Sequence, residues 1–447
     1  MKTNRTRKPV KPVLRSETTT TVSHQGGEAV IENAQKELAR AVSCCMLYED
    51  SFYEKGSSLA ERIDNLVADS SVTAKFLGEL AIKARTDLKL RHIPLYLMVQ
   101  GLKHHKVGWR TIAEVIQRAD ELAEIIALYW KDGKKPIASQ LKLGVAAAFD
   151  KFKEYHFAKY NRDSEVKLRD VMFLTHPKPV NKERKALYRN IANNTLAIPD
   201  TWETALSSGA DRRETFERLI DDGRLGYMAL LRNLRNMEEA GVSQVKVKKA
   251  LIAGAEGSMA LPFRFITAAK HAPAYRSTLS DCMLFSLKSL ERLNGPTVIL
   301  VDVSGSMAGA LSNKSEVNRI EAAAALAAMI QELAEKPSVY VFQSNCMRVN
   351  GLRGMELIDA IIKAPRGGTQ AGRAIRLALK DRPDAKRVIV VTDEQSEDSI
   401  PELSATQSGY IINVATYKPA LPDKRKSWVH ISGFSERIID WIREEER

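Results

Sequence analysis

A short apolar run at residues 297–301 is followed at once by an aspartate and two hydroxyl residues, Asp302, Ser304 and Ser306. A β-branched run of this length predicts a buried strand, whose C-terminal end then carries these oxygen ligands. Carboxylate and hydroxyl oxygens suit a hard cation such as Mg²⁺ better than they suit zinc or copper. The sequence therefore predicts an α/β domain with a divalent-cation site at one edge of its sheet.

Two later segments add candidate ligands for the same cation. The triplet Gly-Gly-Thr at 367–369 precedes a predicted helix at 371–380, and the apolar run at 387–392 ends just before Asp393. Ligands in open α/β sheets bind at the carboxyl ends of the strands, so side chains from three loops are expected to converge there. The predicted metal ligands are Asp302, Ser304, Ser306, Thr369 and Asp393.

This ligand set resembles the metal-ion-dependent adhesion site of von Willebrand factor A (vWA) domains. The resemblance implies that Asp393 helps to hold the metal, that the other four residues bind it directly or through water, and that one position stays open for a partner's carboxylate. The sequence departs from the family at Gln370, where aspartate is frequent, and at Glu394-Gln395, where Asn-Glu is common. The alternative is a dinucleotide-binding or other α/β fold whose strands happen to end in aspartate.

Composition bounds the class of protein. A chain of 447 residues is long enough for two or three domains, and 28% charged with 44% hydrophobic residues is typical of a globular protein. No uninterrupted apolar stretch approaches the ~20 residues of a membrane helix, and the basic segment 1–27 lacks the apolar core of a secretory signal. The four cysteines show no metal-ligand spacing, which favours a reducing cytoplasm.

Charge is distributed unevenly along the chain. Residues 295–447 contain 20 basic and 20 acidic residues, so the whole net charge of +13 lies on residues 1–294. This asymmetry favours a polyanion as partner of the N-terminal part, against the alternative that the charge only aids solubility. Residues 1–27 are expected to be a disordered basic tail, which either touches nucleic acid or is merely solvated.

The sequence predicts an α + α/β chain. Residues 28–294 carry apolar residues at helical spacing in many segments, among them 111–129 and 226–240, and this pattern predicts an α-solenoid of the HEAT or armadillo kind. The segment Asn294-Gly295-Pro296 is the predicted boundary. Beyond it, predicted strands alternate with helices over 295–447, which indicates a doubly wound, mostly parallel sheet. The predicted strands are 297–301, 338–342, 387–392, 410–416 and 429–432.

Local motifs in the helical part are more specific. The stretches are Arg-His-Ile-Pro at 91–94, Lys-Tyr at 159–160, Arg-Asp-Val-Met-Phe-Leu-Thr-His-Pro-Lys-Pro at 169–179, Ala-Leu-Leu-Arg-Asn-Leu-Arg-Asn-Met at 229–237 and Leu-Pro-Phe-Arg at 261–264. Together they resemble the TROVE module of the Ro autoantigen family, in compact form similar to bacterial or phage members. Combined with the vWA-like part, the resemblance covers about residue 28 to the C-terminus.

The resemblance implies a ring of HEAT-like helices joined by the vWA domain. It also implies that single-stranded 3′ ends of misfolded noncoding RNAs thread the ring, while Y or Y-like RNAs bind its outer surface. The expected protein is a cytoplasmic monomer in RNA quality control. An exoribonuclease such as polynucleotide phosphorylase is a candidate partner by analogy with bacterial relatives.

The resemblance carries RNA contacts over to Lys159, Arg169, His176 and Lys178. Charge and proximity add the neighbouring basic residues Arg162, Lys167 and Lys185. For each lysine or arginine the alternative is a solvated helix face, and for the histidine it is a helix stop before a proline. The spacing of apolar residues around Asn233 favours a structural role for that motif.

Two other functions compete with RNA binding. One is a metal-dependent protein-interaction or adhesion module on a helical scaffold, which fits the neutral C-terminal part but not the basic N-terminal part. The other is an enzyme such as a metal-dependent nuclease. Nucleases usually gather several carboxylates around two metals, whereas this site has two carboxylates diluted by hydroxyls. No Ser/His/Asp arrangement, Walker loop or dinucleotide fingerprint has the expected spacing, so we expect no catalytic activity.

Overall fold

The computed structural model has a helical part followed by an α/β part, as the sequence predicts. It describes residues 19–22, 28–31, 33–43, 56–88, 90–161, 164–256, 258, 260, 262–288, 290–311, 316–415, 427–432 and 438–446. Among these residues, no helix combines the length and the apolar character needed to cross a lipid bilayer.

The helical part consists of short helices arranged in two rows. The helices are α1 (Ala34–Ser43), α2 (Gly56–Ala68), α3 (Ala74–Thr86), α4 (His92–Lys103), α5 (Trp109–Val115), α6 (Glu121–Tyr129), α7 (Ser139–Ala148), α8 (Glu154–Tyr160), α9 (Leu168–Thr175), α10 (Lys182–Asn193), α11 (Trp202–Ser207), α12 (Arg212–Asp221), α13 (Tyr227–Arg232), α14 (Leu234–Glu239), α15 (Gln244–Ala255), α16 (Pro262–His271) and α17 (Arg276–Ser286). Helix α3 packs on α5 and α5 on α7, while α2 packs on α4 and α4 on α6. Stacking of alternate helices in this way is the arrangement of an α-solenoid.

The segment predicted as one helix at 111–129 forms two helices, α5 and α6, because a buried carboxylate interrupts it. Glu121, the first residue of α6, is fully buried. Its Oε2 accepts the backbone N–H groups of Gln117 and Arg118 at 2.8 and 3.1 Å, which supports the turn between the helices. Its Oε1 lies 2.6 Å from Nη2 of Arg85. Periodicity alone does not reveal this break, since the apolar spacing continues through it.

A small sheet near the N-terminus corrects the predicted tail. Strand β1 (Thr19–Val22) pairs antiparallel with β2 (Glu28–Ile31). The prediction of disorder over 1–27 is therefore wrong for residues 19–22, whose threonines and valine favour a strand. The remaining residues of that segment lie outside the described part of the chain.

The α/β part forms a six-stranded sheet around two parallel central strands. Its elements are β3 (Thr297–Asp302), α18 (Arg319–Leu333), β4 (Pro337–Phe342), β5 (Cys346–Val349), α19 (Gly354–Lys363), α20 (Ala371–Asp381), β6 (Arg387–Thr392), β7 (Ser408–Asn413), β8 (Trp428–Ser432) and α21 (Ile438–Glu446). The strand order is β5-β4-β3-β6-β7-β8, and only the β4–β5 pair is antiparallel. The sequence misses β5 because it is a half-exposed edge strand of four residues.

The order of the strands reverses between β3 and β6. The chain leaves β3 through α18 to reach β4 on one side, and it leaves β6 for β7 on the other side. Loops that follow these two strands diverge, which opens a crevice at their carboxyl ends. The fold therefore creates a ligand crevice where the sequence places Asp302 and Asp393.

Two hydrophobic cores divide the molecule at a different place from the sequence boundary. One core runs through α1 to α10 and includes Leu97, Phe149 and Ile191. The other is continuous from α12 through α17 into one face of the sheet, where it includes Phe216 and Val301. The opposite sheet face is covered by α20 in a third, smaller core. The boundary at residues 294–296 thus separates two patterns of secondary structure but not two cores.

The helical part touches the sheet part at both of its ends. Helices α16 and α17 pack against α18 and α19, and α1, at the other end, packs against the edge strand β8. Contacts at both ends therefore join the helical part to the sheet part, an arrangement compatible with the ring that the family resemblance implies.

Arg85→Ala should destabilise the helical part strongly, because it leaves the buried Glu121 carboxylate without its cation. The side chains of Arg85 and Glu121 are 10% and 0% exposed. Removing one member of such a pair typically costs about 3–5 kcal/mol in the free energy of unfolding. Urea unfolding followed by circular dichroism measures the loss.

The matched control is Lys75→Ala, which removes an exposed i,i+4 ion pair with Glu79 on α3. This change should alter the free energy of unfolding by no more than about 0.5 kcal/mol. A similar small effect for Arg85→Ala would contradict the structural role of the buried pair.

Candidate functional site

Three loops meet in the crevice at the carboxyl ends of β3 and β6. Asp302 is the last residue of β3, and Asp393 directly follows β6. The backbone N–H of Gly305 donates to the carbonyl of Gly367 at 3.1 Å, which joins the first loop to the loop that carries Thr369. The structure therefore brings together the loops that carry all five predicted metal ligands.

Asp302 is fully buried and held by two hydrogen bonds. Its Oδ1 accepts the N–H of Ser304 at 2.8 Å, and its Oδ2 accepts the hydroxyl of Thr392 at 2.6 Å. Burial, together with the nearby charge of Asp393, raises the pKa of Asp302 to about 7. A carboxylate in this position therefore gains from a nearby positive charge.

Asp393 carries an oxygen that lacks a hydrogen-bond partner. Its Oδ1 accepts the N–H of Gln395 at 3.2 Å, whereas the buried Oδ2 has no hydrogen bond and lies 3.6 Å from Nη1 of Arg319. Burial also raises the pKa of Asp393. The hydroxyl oxygens of Ser304 and Ser306 are 3.2 Å apart. A buried carboxylate oxygen that faces Arg319 without a hydrogen bond, in a crevice that also carries two close hydroxyls, fits the donor chemistry of Mg²⁺.

The composition of the site distinguishes it from a multi-carboxylate centre. Within the described ranges, no group of three or more His, Cys, Asp or Glu residues is placed to hold a metal ion. The predicted set offers two carboxylates and three hydroxyls instead. Such a set supplies modest negative charge and leaves a bound dication able to attract a further anion.

Sequence reasoning missed Arg319, the cation that the protein itself places beside Asp393. Arg319 begins α18, its side chain is 2% exposed, and it donates to the carbonyl of Ser306 at 3.2 Å. The signal in the sequence is an arginine at the start of an otherwise alanine-rich helix, where a charged residue has no reason to be buried unless it is paired.

The departure at Glu394 has a structural explanation. Glu394 adopts a left-handed conformation with a φ of 60° and is fully buried. Its Oε1 accepts the side-chain amide of Asn413 at 3.0 Å, and its Oε2 lies 3.1 Å from Nδ1 of His430 on β8. This carboxylate therefore ties the metal-site loop to β7 and β8.

Five of the predicted RNA contacts lie on exposed positions around α9, and Lys159 is half-buried. Arg169 is on α9, Lys167 and His176 are the residues flanking this helix, and Lys185 is on α10, which packs on α9. Lys178 follows in the exposed loop, and Lys159 lies on α8. Arg162 falls outside the described residues. The structure thus groups Lys167, Arg169, His176, Lys178 and Lys185, with Lys159 on the preceding helix.

His176 ends α9 with its backbone while its side chain stays exposed. Its φ of 51° is left-handed, and its N–H donates to the carbonyl of Met172 at 2.9 Å. The two predicted roles of His176 are therefore compatible. Ending the helix uses its main chain, and a contact with RNA would use its imidazole.

An exposed aromatic ring near these cations was absent from the predicted set. Phe173 is 51% exposed on α9, and the guanidinium carbon of Arg169 lies 5.6 Å from its ring centroid. An exposed ring beside cations is a stacking platform for an unpaired base. In the sequence, the feature that points to Phe173 is an aromatic residue one helical turn after Arg169.

The motif around Asn233 is structural, as the spacing of its apolar residues predicts. Asn233 is 2% exposed and separates α13 from α14. Its side-chain amide donates to the carbonyl of Ala229 at 2.9 Å, and its Oδ1 accepts the side-chain amide of Asn236 at 2.9 Å. The segment predicted as one helix at 226–240 is therefore interrupted by this buried asparagine.

Comparisons with known proteins agree with these two parts. A TROVE domain model matches residues 192–275, and a Ro60 vWA domain model matches residues 297–407. The crystal structure of the Deinococcus radiodurans RO (RSR) protein aligns with a TM-score of 0.62 at 16% identity, covering 92% of this chain and 100% of that chain. At this identity the alignment shows a common fold.

A shorter segment resembles two curated proteins. Telomerase protein component 1 of Rattus norvegicus is 38% identical over 82 residues, and that of Mus musculus is 35% identical over 82 residues. The match covers 16% of this chain and 3% of either relative. The likeness therefore concerns one segment of those proteins and not their whole activity.

The metal-free protein should lose stability as the pH rises from about 4 to 7. The pKa of Asp302 is 3.8 in an unfolded reference and about 7 in the folded protein. Because the folded protein keeps this proton where the unfolded chain has lost it, the contribution is full below pH 3.8 and disappears as the pH passes 7. The slope is up to about 1.4 kcal/mol per pH unit for one proton.

Chemical unfolding in EDTA between pH 4.5 and pH 7.5 measures this slope, with Asp302→Asn as the control. The variant keeps the acceptor oxygen but cannot titrate, so its stability should change less over the same range. Equal slopes for both proteins would show that this carboxyl does not carry the proton.

Proposed function

Since this chain belongs to the Ro family, whose TROVE domain is associated with RNA binding, we propose that it binds small noncoding RNAs in the cytoplasm. In this proposal Y-like RNAs bind the exposed cations around α9, and the single-stranded 3′ ends of misfolded RNAs thread the ring. The protein acts as a monomer in RNA quality control.

The single observation that carries the proposal is the group of exposed cations around α9 with Phe173 among them. Phosphate contacts from lysine and arginine give affinity without reading base sequence. A neighbouring exposed ring adds stacking of unpaired bases, worth about 1–3 kcal/mol per base in single-strand binding proteins. Cations and an aromatic ring on one surface therefore suit RNA better than they suit a protein partner.

Ring closure supports selection by shape. In this proposal the chain, joined through α1 and β8, surrounds an opening that a strand enters only by its free end. An opening that passes one strand excludes a duplex, so RNAs with unpaired 3′ ends are preferred whatever their sequence.

The crevice at β3 and β6 is proposed to hold Mg²⁺ through Asp302, Ser304, Ser306, Thr369 and Asp393. When bound there, Mg²⁺ supplies positive charge for a carboxylate of a protein partner, for which an exoribonuclease such as polynucleotide phosphorylase is a candidate. The protein residues orient this site: Thr392 and Ser304 hold the Asp302 carboxylate, and Arg319 faces Asp393. No catalytic step is proposed.

The second candidate function is a metal-dependent protein-interaction module on a helical scaffold. The net neutrality of residues 295–447 and the buried Asp393 oxygen favour it. It predicts that binding to a partner protein, and not binding to RNA, is the main activity.

RNA with a single-stranded 3′ overhang should bind much more tightly than a blunt duplex of equal length. The affinity for the overhang should fall with salt, with a log–log slope of roughly −0.7 for each phosphate contacted on a single strand. Filter binding at several salt concentrations measures both properties. Equal affinity for the two RNAs would contradict threading.

The variant Arg169→Ala/Phe173→Ala tests how much the surface around α9 contributes to RNA affinity. This variant should weaken binding of a structured hairpin RNA about tenfold or more, because it removes a phosphate contact and a stacking ring. Lys75→Ala, at an exposed position of α3, is the control. The proposed role of the α9 surface is wrong if both variants bind the hairpin like the wild type.

Asp302→Ala should abolish Mg²⁺ binding and leave RNA affinity within about twofold of wild type, because the metal site lies in the neutral part of the chain. Isothermal titration with Mg²⁺ and RNA filter binding measure the two effects. Loss of both would mean that RNA binding requires the metal site. Mg²⁺-dependent RNA cleavage that disappears in Asp302→Ala would establish an enzyme instead.

A further inference from the structure

A cavity of about 270 Å³ lies between α2, α4 and α6 in the helical part. Its lining includes Glu61 and Asp64 from α2, Tyr96 and Gln100 from α4, and Tyr129 from α6. The volume lies just below the range of about 300–1,000 Å³ that is usual for drug-sized ligands, so the cavity suits a smaller molecule. None of the predicted metal ligands or of the described RNA contacts lines it.

Gln100 brings to this cavity a buried acceptor that no donor of the protein reaches. The residue is 4% exposed, and its Oε1 atom has no hydrogen-bond partner among the described residues. A buried polar atom left unpaired costs about 1–3 kcal/mol in the free energy of unfolding, whereas an aliphatic side chain of the same size carries no such cost. A bound molecule that donates a hydrogen bond to Gln100 removes this cost.

Two carboxylates without a cationic partner line the same cavity. Glu61 and Asp64 are neighbours on one face of α2, and neither forms an ion pair in the described ranges. The hydroxyl of Tyr96 donates to Oδ1 of Asp64 at 2.5 Å, while no donor from the described part of the chain reaches Oδ2. The chain as a whole carries a net charge of +13, so this uncompensated negative charge is a local property of the cavity.

The two lysines of the lining do not neutralise these carboxylates. Lys103 lies 4.0 Å from Asp132, a third carboxylate of the lining, and Lys131 is exposed to solvent. The lining thus contains three carboxylates and two ammonium groups, which leaves one net negative charge. A positively charged ligand therefore suits the cavity better than an anion does.

The rest of the lining suits the carbon chain of an organic cation. Tyr96 and Tyr129 bring aromatic rings, and Val99 and Leu128 bring apolar side chains. An ammonium group has three donors and no acceptor, and it is attracted to the face of an aromatic ring. A bare metal ion fits less well, because within the described ranges no group of three or more His, Cys, Asp or Glu residues is placed to hold one.

We propose that this cavity binds a small alkylammonium compound, such as a short diamine. Its ammonium group donates to Oε1 of Gln100 and pairs with the carboxylates of Asp64 and Glu61, while its carbon chain lies against the two tyrosine rings. This site is separate from the proposed RNA-binding surface and from the proposed metal site, so each of the three is tested without the others.

Isothermal titration of the whole, RNA-free chain with putrescine at constant ionic strength tests the site. Gln100→Leu, which keeps the volume but removes the acceptor, should weaken binding at least about tenfold. The same change should leave the melting temperature of the unliganded protein equal or higher, because it removes an unpaired buried oxygen. Asp64→Asn, which keeps an acceptor for Tyr96, should also weaken binding. Glu79→Gln, which removes an exposed carboxylate of α3, is the control and should bind putrescine like the wild type.

The neutral diol of the same chain length, butanediol, separates charge recognition from simple filling of the cavity. Putrescine should raise the melting temperature of the wild type, whereas butanediol at the same concentration should not. Equal effects of the two compounds would overturn the proposal, because the cavity would then not select a cation. Absence of putrescine binding to the wild type, or equal weakening by Gln100→Leu and Glu79→Gln, would overturn it as well.

Discussion

The contact between α18 and its neighbours on both sides unites this molecule. Helix α18 packs on β3 and β6 with one side and against α16 and α19 with the other. Close packing on both sides requires small side chains, and all six alanines of α18 are buried. Helix α18 belongs to the sheet part, but its side chains also complete the core of the helical part. The two parts therefore share one continuous core at their junction. The proposed metal site also borders α18, whose first residue, Arg319, faces Asp393.

Much of this arrangement follows from the sequence, for identifiable reasons. The strands β3 and β6 are predictable because unbroken β-branched runs are typical of buried parallel strands, and the loops that follow them must share one edge. The break at Glu121 and the break at Asn233 are not predictable from spacing, because each depends on hydrogen bonds to a buried polar side chain. The edge strand β5 is not predictable, because its four half-exposed residues are too few to show the apolar pattern of a strand. Arg319 is hidden since its partner, Asp393, is distant in sequence and near only in the fold.

The two candidate binding regions use charge in opposite ways. At the proposed metal site, two buried carboxyl groups, Asp302 and Asp393, lie at the ends of neighbouring strands, and Arg319 faces Asp393. On the helical part, exposed cations cluster around α9, which suits the proposed anionic partner. The net positive charge lies on residues 1–294, whereas residues 295–447 are neutral.

Closure through α1 and β8 has a consequence for how the chain folds. These elements lie near opposite ends of the described sequence, so their contact joins residues that are far apart in the chain. The entropy lost on joining two ends grows with the length of chain between them, unless the intervening segment is already ordered. The two large cores on either side shorten the effective loop, which makes closure a late docking step between folded bodies. A closed ring of this kind can also become topologically linked to a strand, and such a link dissolves only when the strand slides out or when α1 leaves β8.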